Sequence, residues 1–142
     1  MKILLDTNVV LDILLAREPF VDVAREIFLL IENHQIEGFV CATTMTTIHY
    51  LIGKQKDKSS ADALILNLLK LFEVALVNKQ ILQDASLHNG VDYEDSVIYT
   101  SAKYAQIDMI ITRDKRGFKK SEITILDPKE FLAFWKTSNQ QP

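Results

Sequence analysis

Short apolar runs alternate with longer segments of helical spacing along almost the whole chain. Five runs are typical of strands buried on both faces: residues 2–6, 38–42, 73–77, 109–112 and 124–126. Helical periodicity predicts five helices with both ends defined: 8–16, 20–33, 44–53, 81–88 and 93–106. Two further helices are predicted by their starts, one at Ser59 or Ser60 and one at Pro128. Strands that alternate with helices pair in parallel through right-handed crossovers. We therefore expect an α/β protein, a three-layer α/β/α sandwich with a central, mainly parallel five-stranded sheet.

Length and composition fit one globular domain. The 142 residues, 48% apolar and 25% charged, suit a single domain over 1–136, and residues 137–142 are predicted to form a flexible C-terminal tail. Cys41, the only cysteine, excludes an internal disulfide and favours a reducing compartment. No signal-peptide pattern and no apolar run of about 20 residues is present. We expect a cytoplasmic protein that does not enter the membrane.

Basic residues cluster after the fourth predicted strand, although the net charge of the chain is −3. Arg113, Lys115 and Arg116 lie in this cluster and are candidates for binding phosphates. The alternative is that these residues lie in a solvated loop with no binding role, which is more common for a short basic segment.

Three acidic residues are predicted to lie near the same edge of the sheet. Asp6 ends the first strand, Asp114 follows the fourth, and Asp95 begins the helix that leads into the fourth. In parallel sheets, ligands collect outside the carboxyl ends of the strands, and clustered carboxylates are commonly neutralised by Mg²⁺ or Mn²⁺. Each acid also has a purely structural explanation, since Asp6 and Asp92 suit helix caps and Asp114 suits a turn.

Two blocks of sequence resemble a known family. The segments "LLDTNVVLDILL" and "DYEDSVIYTSAKYAQIDMIITRDKRGF" are similar to the beginning and the second half of PIN-domain proteins, especially the VapC-like toxins of bacterial toxin–antitoxin pairs. The resemblance extends from Met1 to about Phe134. It implies a doubly wound sheet, a cluster of acids that binds Mg²⁺ or Mn²⁺, and cleavage of single-stranded RNA. It also implies a small antitoxin partner and a homodimer.

The resemblance assigns roles to individual residues. Asp6, Asp95 and Asp114 would hold the metal and act in catalysis, and either Asp114 or Glu94 would help to take a proton from the attacking water. Four further residues would lie next to these acids and orient them or a bound water: Asn8, Thr47, Asp92 and Thr112. Arg113, Lys115 and Arg116 would contact the RNA backbone.

One position departs from the family pattern. In "ATTMTTIHYL", Thr47 stands where the family has glutamate in a Thr-x-x-Glu pattern, so this helix supplies no charge to the site. This loss favours the alternative of a PIN fold that binds RNA or protein without cleaving. A phosphatase with an Asp-x-Asp nucleophile is disfavoured because Asn8 replaces the second acid.

Overall fold

A computed structural model describes residues 1–88 and 92–139. Within these ranges the chain forms five strands, β1 to β5: Lys2–Leu5, Glu37–Cys41, Glu73–Ala75, Met109–Ile111 and Thr124–Leu126. The helices, α1 to α7, are Thr7–Leu14, Val21–Glu32, Ala42–Gln55, Lys58–Leu71, Lys79–Ala85, Tyr93–Tyr104 and Pro128–Asn139. A short 3-10 helix, Lys115–Phe118, lies between β4 and β5.

All strands pair in parallel, in the spatial order β3-β2-β1-β4-β5. The chain therefore builds β2 and β3 on one side of β1 and then crosses over to build β4 and β5 on the other side. This change of direction opens a crevice at the carboxyl ends of β1 and β4. The predicted α/β/α sandwich with a five-stranded parallel sheet is confirmed.

Two apolar cores cover the two faces of the sheet, because side chains alternate along a strand. Ile3 and Leu5 of β1 pack into the core formed with α1, α2, α3, α4 and α7. Leu4 points to the other face and packs with α6, on which α5 lies, and with Phe118. Both faces of β1 are fully buried. This burial fixes the position of Asp6, the polar residue that follows the strand, at the edge of the sheet.

Element boundaries differ from the predictions by a few residues, and local hydrogen bonds explain the largest difference. Asp57 caps α4, accepting a hydrogen bond from the amide of Ser60 at 2.7 Å, in place of the predicted Ser59 or Ser60. The 3-10 helix was not predicted. Helix α7 extends through residues 137–139, and residues 140–142 of the predicted tail lie outside the described residues. None of the helices in the described ranges has the length and apolar character that crossing a membrane requires.

Candidate acidic site at the carboxyl edge of the sheet

Asp6 lies at the centre of the crevice between β1 and β4. It is almost fully buried and is the N-cap of α1, with Oδ1 accepting from the amide of Thr7 at 2.8 Å. Its Oδ2 accepts from the hydroxyl of Thr112 at 2.8 Å, and Nδ2 of Asn8 lies 3.5 Å from the same oxygen. Asp6 is thus both the helix cap and a candidate site residue, and the predicted supporting residues Asn8 and Thr112 contact it directly.

The environment of Asp6 disfavours its charge. Burial raises the pKa of this carboxyl above its ordinary value, the hydrogen bonds from Thr112 and Thr7 oppose this effect, and the charge of Asp114 adds to it. Desolvation favours the neutral form of a carboxylic acid unless a cation compensates for the charge. A positive partner in the crevice would therefore stabilise the ionised form of Asp6.

Asp95 faces Asp6 from the beginning of α6. Asp92 caps this helix, accepting from the amides of Glu94 at 3.0 Å and Asp95 at 3.4 Å. Partial burial, followed by the charges of Asp6, Asp92, Glu94 and Asp114, raises the pKa of Asp95 to about 6. The structure thus brings Asp6, Asp95 and Asp114, the three acids predicted to lie at this edge of the sheet, close enough to interact electrostatically. Glu94 itself is exposed.

The raised pKa of Asp95 predicts a pH dependence of stability in metal-free protein. Since the folded-state pKa exceeds the unfolded value, the charge of Asp95 destabilises the fold fully above pH 6. This cost is relieved as the pH falls from 6 toward the ordinary value of 3.8. Asp95→Asn should therefore stabilise the protein at pH 7 and lose most of that advantage by pH 4.5, as measured by urea unfolding. An advantage that is constant with pH would contradict the prediction.

Gly117 allows the 3-10 helix to approach Asp95 closely. A Cβ atom at this position would lie 2.2 Å from Oδ2 and 2.7 Å from Cγ of Asp95. The following Phe118 is buried in the core beneath α6, which anchors the segment. A side chain at Gly117 would therefore have to displace the Asp95 carboxylate rather than move the backbone away.

In Gly117→Ala, the new methyl group is expected to push the carboxylate of Asp95 away from its acidic neighbours. Asp95 should then no longer titrate near pH 6. Carboxyl ¹³C NMR titration would measure this. Gly53→Ala is the matched control: its new Cβ would lie 3.9 Å from Ala61, and replacing a helical glycine should stabilise the fold by roughly 0.5–1 kcal/mol. A titration curve of Asp95 that is the same in both variants would show that the close approach does not fix the carboxylate.

Asp114 is turned toward Arg116 in this structure. Its two carboxylate oxygens accept from Nε and Nη2 of Arg116 at 2.9 and 3.0 Å. The Arg116 guanidinium holds the pKa of Asp114 below its usual range. Both side chains are well exposed, and exposed ion pairs contribute little free energy. Another cation could therefore compete with Arg116 for this carboxylate.

Arg113 links the β4 end to α1. Its guanidinium donates to both carboxylate oxygens of Asp12 at 2.7 and 3.1 Å, and its amide donates to Oδ1 of Asn8 at 3.2 Å. Asp12 is fully buried, and Arg17 lies 3.8 Å from it. Sequence reasoning missed the role of Asp12. A charged residue within the apolar stretch "VVLDILL" was the available signal of a buried ion pair.

Each of the three cations predicted to bind RNA is paired with a carboxylate. Arg113 bonds Asp12, Arg116 bonds Asp114, and Lys115 forms an ion pair with Glu130 of α7. Of the three, Arg116 is the most exposed. Their predicted contact with RNA remains a prediction.

Thr47 donates its hydroxyl to the carbonyl of Thr43, one turn earlier in α3, at 3.1 Å. The threonine of α3 that contacts the other site elements is the buried Thr44, whose Oγ1 lies 3.0 Å from that of Thr7. The sequence did not single out Thr44. Helix α3 contains no acidic residue, so no other side chain of this helix replaces the family's glutamate at position 47.

The donor chemistry of this site fits a hard divalent cation at two carboxylates. Within residues 1–88 and 92–139, no Lys, Arg or His side chain forms an ion pair with Asp6 or Asp95, and the two charges oppose each other. In the same ranges, no group of three His, Cys, Asp or Glu side chains is arranged to hold a metal ion. The site therefore offers a pair of carboxylates, with Asp114 engaged by Arg116.

Together these features define a doubly wound α/β protein with an acidic site at the point where the strand order reverses. A family model described as "PIN domain" matches residues 2–116. The chain belongs to the PIN-domain family.

Solved structures of toxin–antitoxin proteins share the fold. Haemophilus influenzae VapBC-1 has a TM-score of 0.69 at 17% identity, covering 91% of this chain and 99% of that chain. DNA-bound VapBC from Salmonella typhimurium also has a TM-score of 0.69, at 20% identity and 90% and 98% coverage. Mycobacterium tuberculosis VapC20, described as a toxin that cleaves the sarcin–ricin loop, has a TM-score of 0.64 at 13% identity and 81% and 92% coverage. No curated protein sequence matches the chain.

Proposed function

We propose that this protein is a Mg²⁺- or Mn²⁺-dependent endoribonuclease that hydrolyses single-stranded RNA and acts as the toxin of a toxin–antitoxin pair. The observation that carries the proposal is the pair Asp6 and Asp95. These carboxylates oppose each other without a cationic partner among the described residues, at the crevice where α/β proteins bind ligands. Membership of the PIN-domain family and the fold shared with VapC-type proteins support the same activity.

In this proposal, Asp6 and Asp95 would hold the metal, and Asp114 would be a third ligand if its carboxylate were released from Arg116. The bound metal would supply an activated water and stabilise charge on the phosphate. Asn8 and Thr112 keep the carboxylate of Asp6 in one orientation through their contacts with Oδ2.

Exposed residues beside the acidic site would accept the proton and position the substrate. Glu94 is the proposed acceptor of a proton from the attacking water, because it is exposed, lies next to Asp95, and contributes only its backbone amide, not its carboxylate, to the capping of α6. Arg116, released from Asp114, becomes available to an RNA phosphate, a contact that positions the strand without reading its sequence.

The test is an in vitro cleavage assay with end-labelled single-stranded RNA. We expect internal cleavage with Mg²⁺ or Mn²⁺, no cleavage in excess EDTA, and slower cleavage of the same RNA in a duplex. Full activity in EDTA would refute the metal dependence. The same protein should unfold at a higher temperature with Mn²⁺ than without it, because a ligand of the folded state stabilises that state.

The second candidate is a PIN-fold module that binds RNA or a protein without cleaving. The hydrogen bond of Thr47 to its own helix, in a helix that supplies no acid, favours this candidate. Stabilisation by Mn²⁺ without RNA cleavage would support it against the nuclease.

Partners follow from the same proposal. A small antitoxin that covers the acidic site and a homodimer are expected for a VapC-type toxin, and toxin–antitoxin complexes are among the structurally similar proteins. Induced expression in a bacterial host should arrest growth, and co-expression of the antitoxin should relieve the arrest. A cytoplasmic location remains a prediction.

A further inference from the structure

A second cavity, outside the acidic site, lies between the beginnings of α2 and α7. Its volume is about 370 Å³, within the range of sites that hold small molecules. Its walls combine an aromatic ring, two cationic side chains, one carboxylate, a valine and two prolines: Phe20, Arg113, Lys129, Asp127, Val23, Pro19 and Pro128. The catalytic proposal does not use this cavity.

Two flat groups form one wall in a fixed arrangement. The guanidinium carbon of Arg113 lies 3.9 Å from the centre of the Phe20 ring, and the buried Asp12 holds that guanidinium through two hydrogen bonds. The Phe20 residue nevertheless keeps 38% of its surface exposed. A planar ligand could therefore stack here without any prior rearrangement, which lowers the entropic cost of binding.

The cavity is connected to the acidic site by two consecutive polar contacts. The amide of Arg113 donates to Oδ1 of Asn8 at 3.2 Å, and Nδ2 of Asn8 lies 3.5 Å from Oδ2 of Asp6. An RNA strand bound at Asp6 is therefore expected to run toward the cavity.

We propose that this cavity binds one unpaired nucleobase of single-stranded RNA, next to the phosphate that is cleaved at the acidic site. The inference rests on the proposed function. Proteins that recognise single-stranded RNA stack splayed bases on aromatic rings and arginine planes. Lys129, which forms no ion pair within the described ranges, complements the charge of the adjoining phosphate. A purely apolar side chain of a protein partner would leave the charge of Lys129 without a partner, whereas Arg113 is already paired with Asp12.

The test measures the coupling between Phe20 and a single base. Fluorescently labelled single-stranded oligoribonucleotides, each with one abasic residue at a successive position, are titrated with the full-length protein in EDTA, and anisotropy gives the Kd. In wild-type protein, base removal at one position should weaken binding about tenfold, since stacking one base contributes about 1–3 kcal/mol. In Phe20→Leu, the intact RNA should bind about tenfold more weakly, and the abasic RNA should bind no worse than the intact one.

Two further variants separate stacking from general damage. Phe20→Tyr keeps the aromatic face and should retain the wild-type pattern. Phe134→Leu is the matched control, because Phe134 is equally exposed, at 37%, but lies outside the cavity; it should also retain the pattern. Circular dichroism of each variant checks that the fold is intact.

The outcomes distinguish this inference from the nuclease proposal. Coupling between Phe20 and one base without any metal-dependent cleavage would uphold the base site and refute the nuclease. Cleavage by wild-type protein with no position-specific loss, or with equal losses in Phe20→Leu and Phe134→Leu, would overturn the base site. In that case a side chain of a protein partner becomes the better occupant.

Discussion

Asp6→Asn should reduce metal-dependent RNA cleavage at least about 100-fold, since a metal that activates water contributes several kcal/mol to the barrier. The fold should persist, because the side-chain oxygen of asparagine can still cap Thr7. In the absence of metal, the variant should even be more stable at pH 7, because the burial that raises the pKa of Asp6 penalises its charge. The measurements are initial cleavage rates and urea unfolding with and without Mn²⁺.

Asp22→Asn is the control for this experiment. Asp22 lies exposed on α2, where it pairs with Arg25, so its neutralisation should alter neither cleavage nor stabilisation by Mn²⁺. Equal rates of RNA cleavage by the wild type and Asp6→Asn would refute the nuclease assignment. Loss of cleavage with unchanged Mn²⁺ stabilisation would instead place the metal elsewhere.

Asp12→Ala should lower the free energy of unfolding by about 3–5 kcal/mol, the usual cost of removing one partner of a buried ion pair. The reason is that Arg113 would lose both of its strong hydrogen bonds while its guanidinium stays in a confined position against Phe20. Chemical denaturation at neutral pH measures the change. RNA cleavage should also fall, because Arg113 holds Asn8 and the residues on either side of it.

The double variant Asp12→Leu with Arg113→Met tests the cause. Replacing both charges with apolar residues of similar volume is often neutral or stabilising, so much of the lost stability should return. Asp22→Ala, which breaks an exposed pair, should change stability by no more than about 0.5 kcal/mol. A loss as small as this in Asp12→Ala would show that the buried pair is not an anchor of the fold.

The sheet and the principal acids were predictable because they depend on strong local signals. Five apolar runs separated by helical periodicity leave few arrangements other than a parallel sheet covered on both faces. Asp6 follows β1 directly, and its position at the edge follows from the burial of the strand before it. Asp95 could be placed because Asp92 marks the beginning of α6, a cap that the structure confirms.

The partners of the charged residues were not predictable, because they depend on contacts between distant parts of the chain. Arg113 and Asp12 are 101 residues apart, and no local pattern links them. The same holds for Gly117, whose importance arises only where the 3-10 helix meets α6. The basic cluster therefore looked free to bind RNA, whereas three of its members are paired with acids.

The central position of β1 has a consequence for protein synthesis. Residues 3–5 are synthesised long before residues 109–111 of their neighbour β4, and Asp95 lies against Gly117. The complete acidic site therefore cannot form until residue 117 has been synthesised. If the proposed nuclease function is correct, a nascent chain that ends before this segment is expected to be inactive toward the RNA of the ribosome.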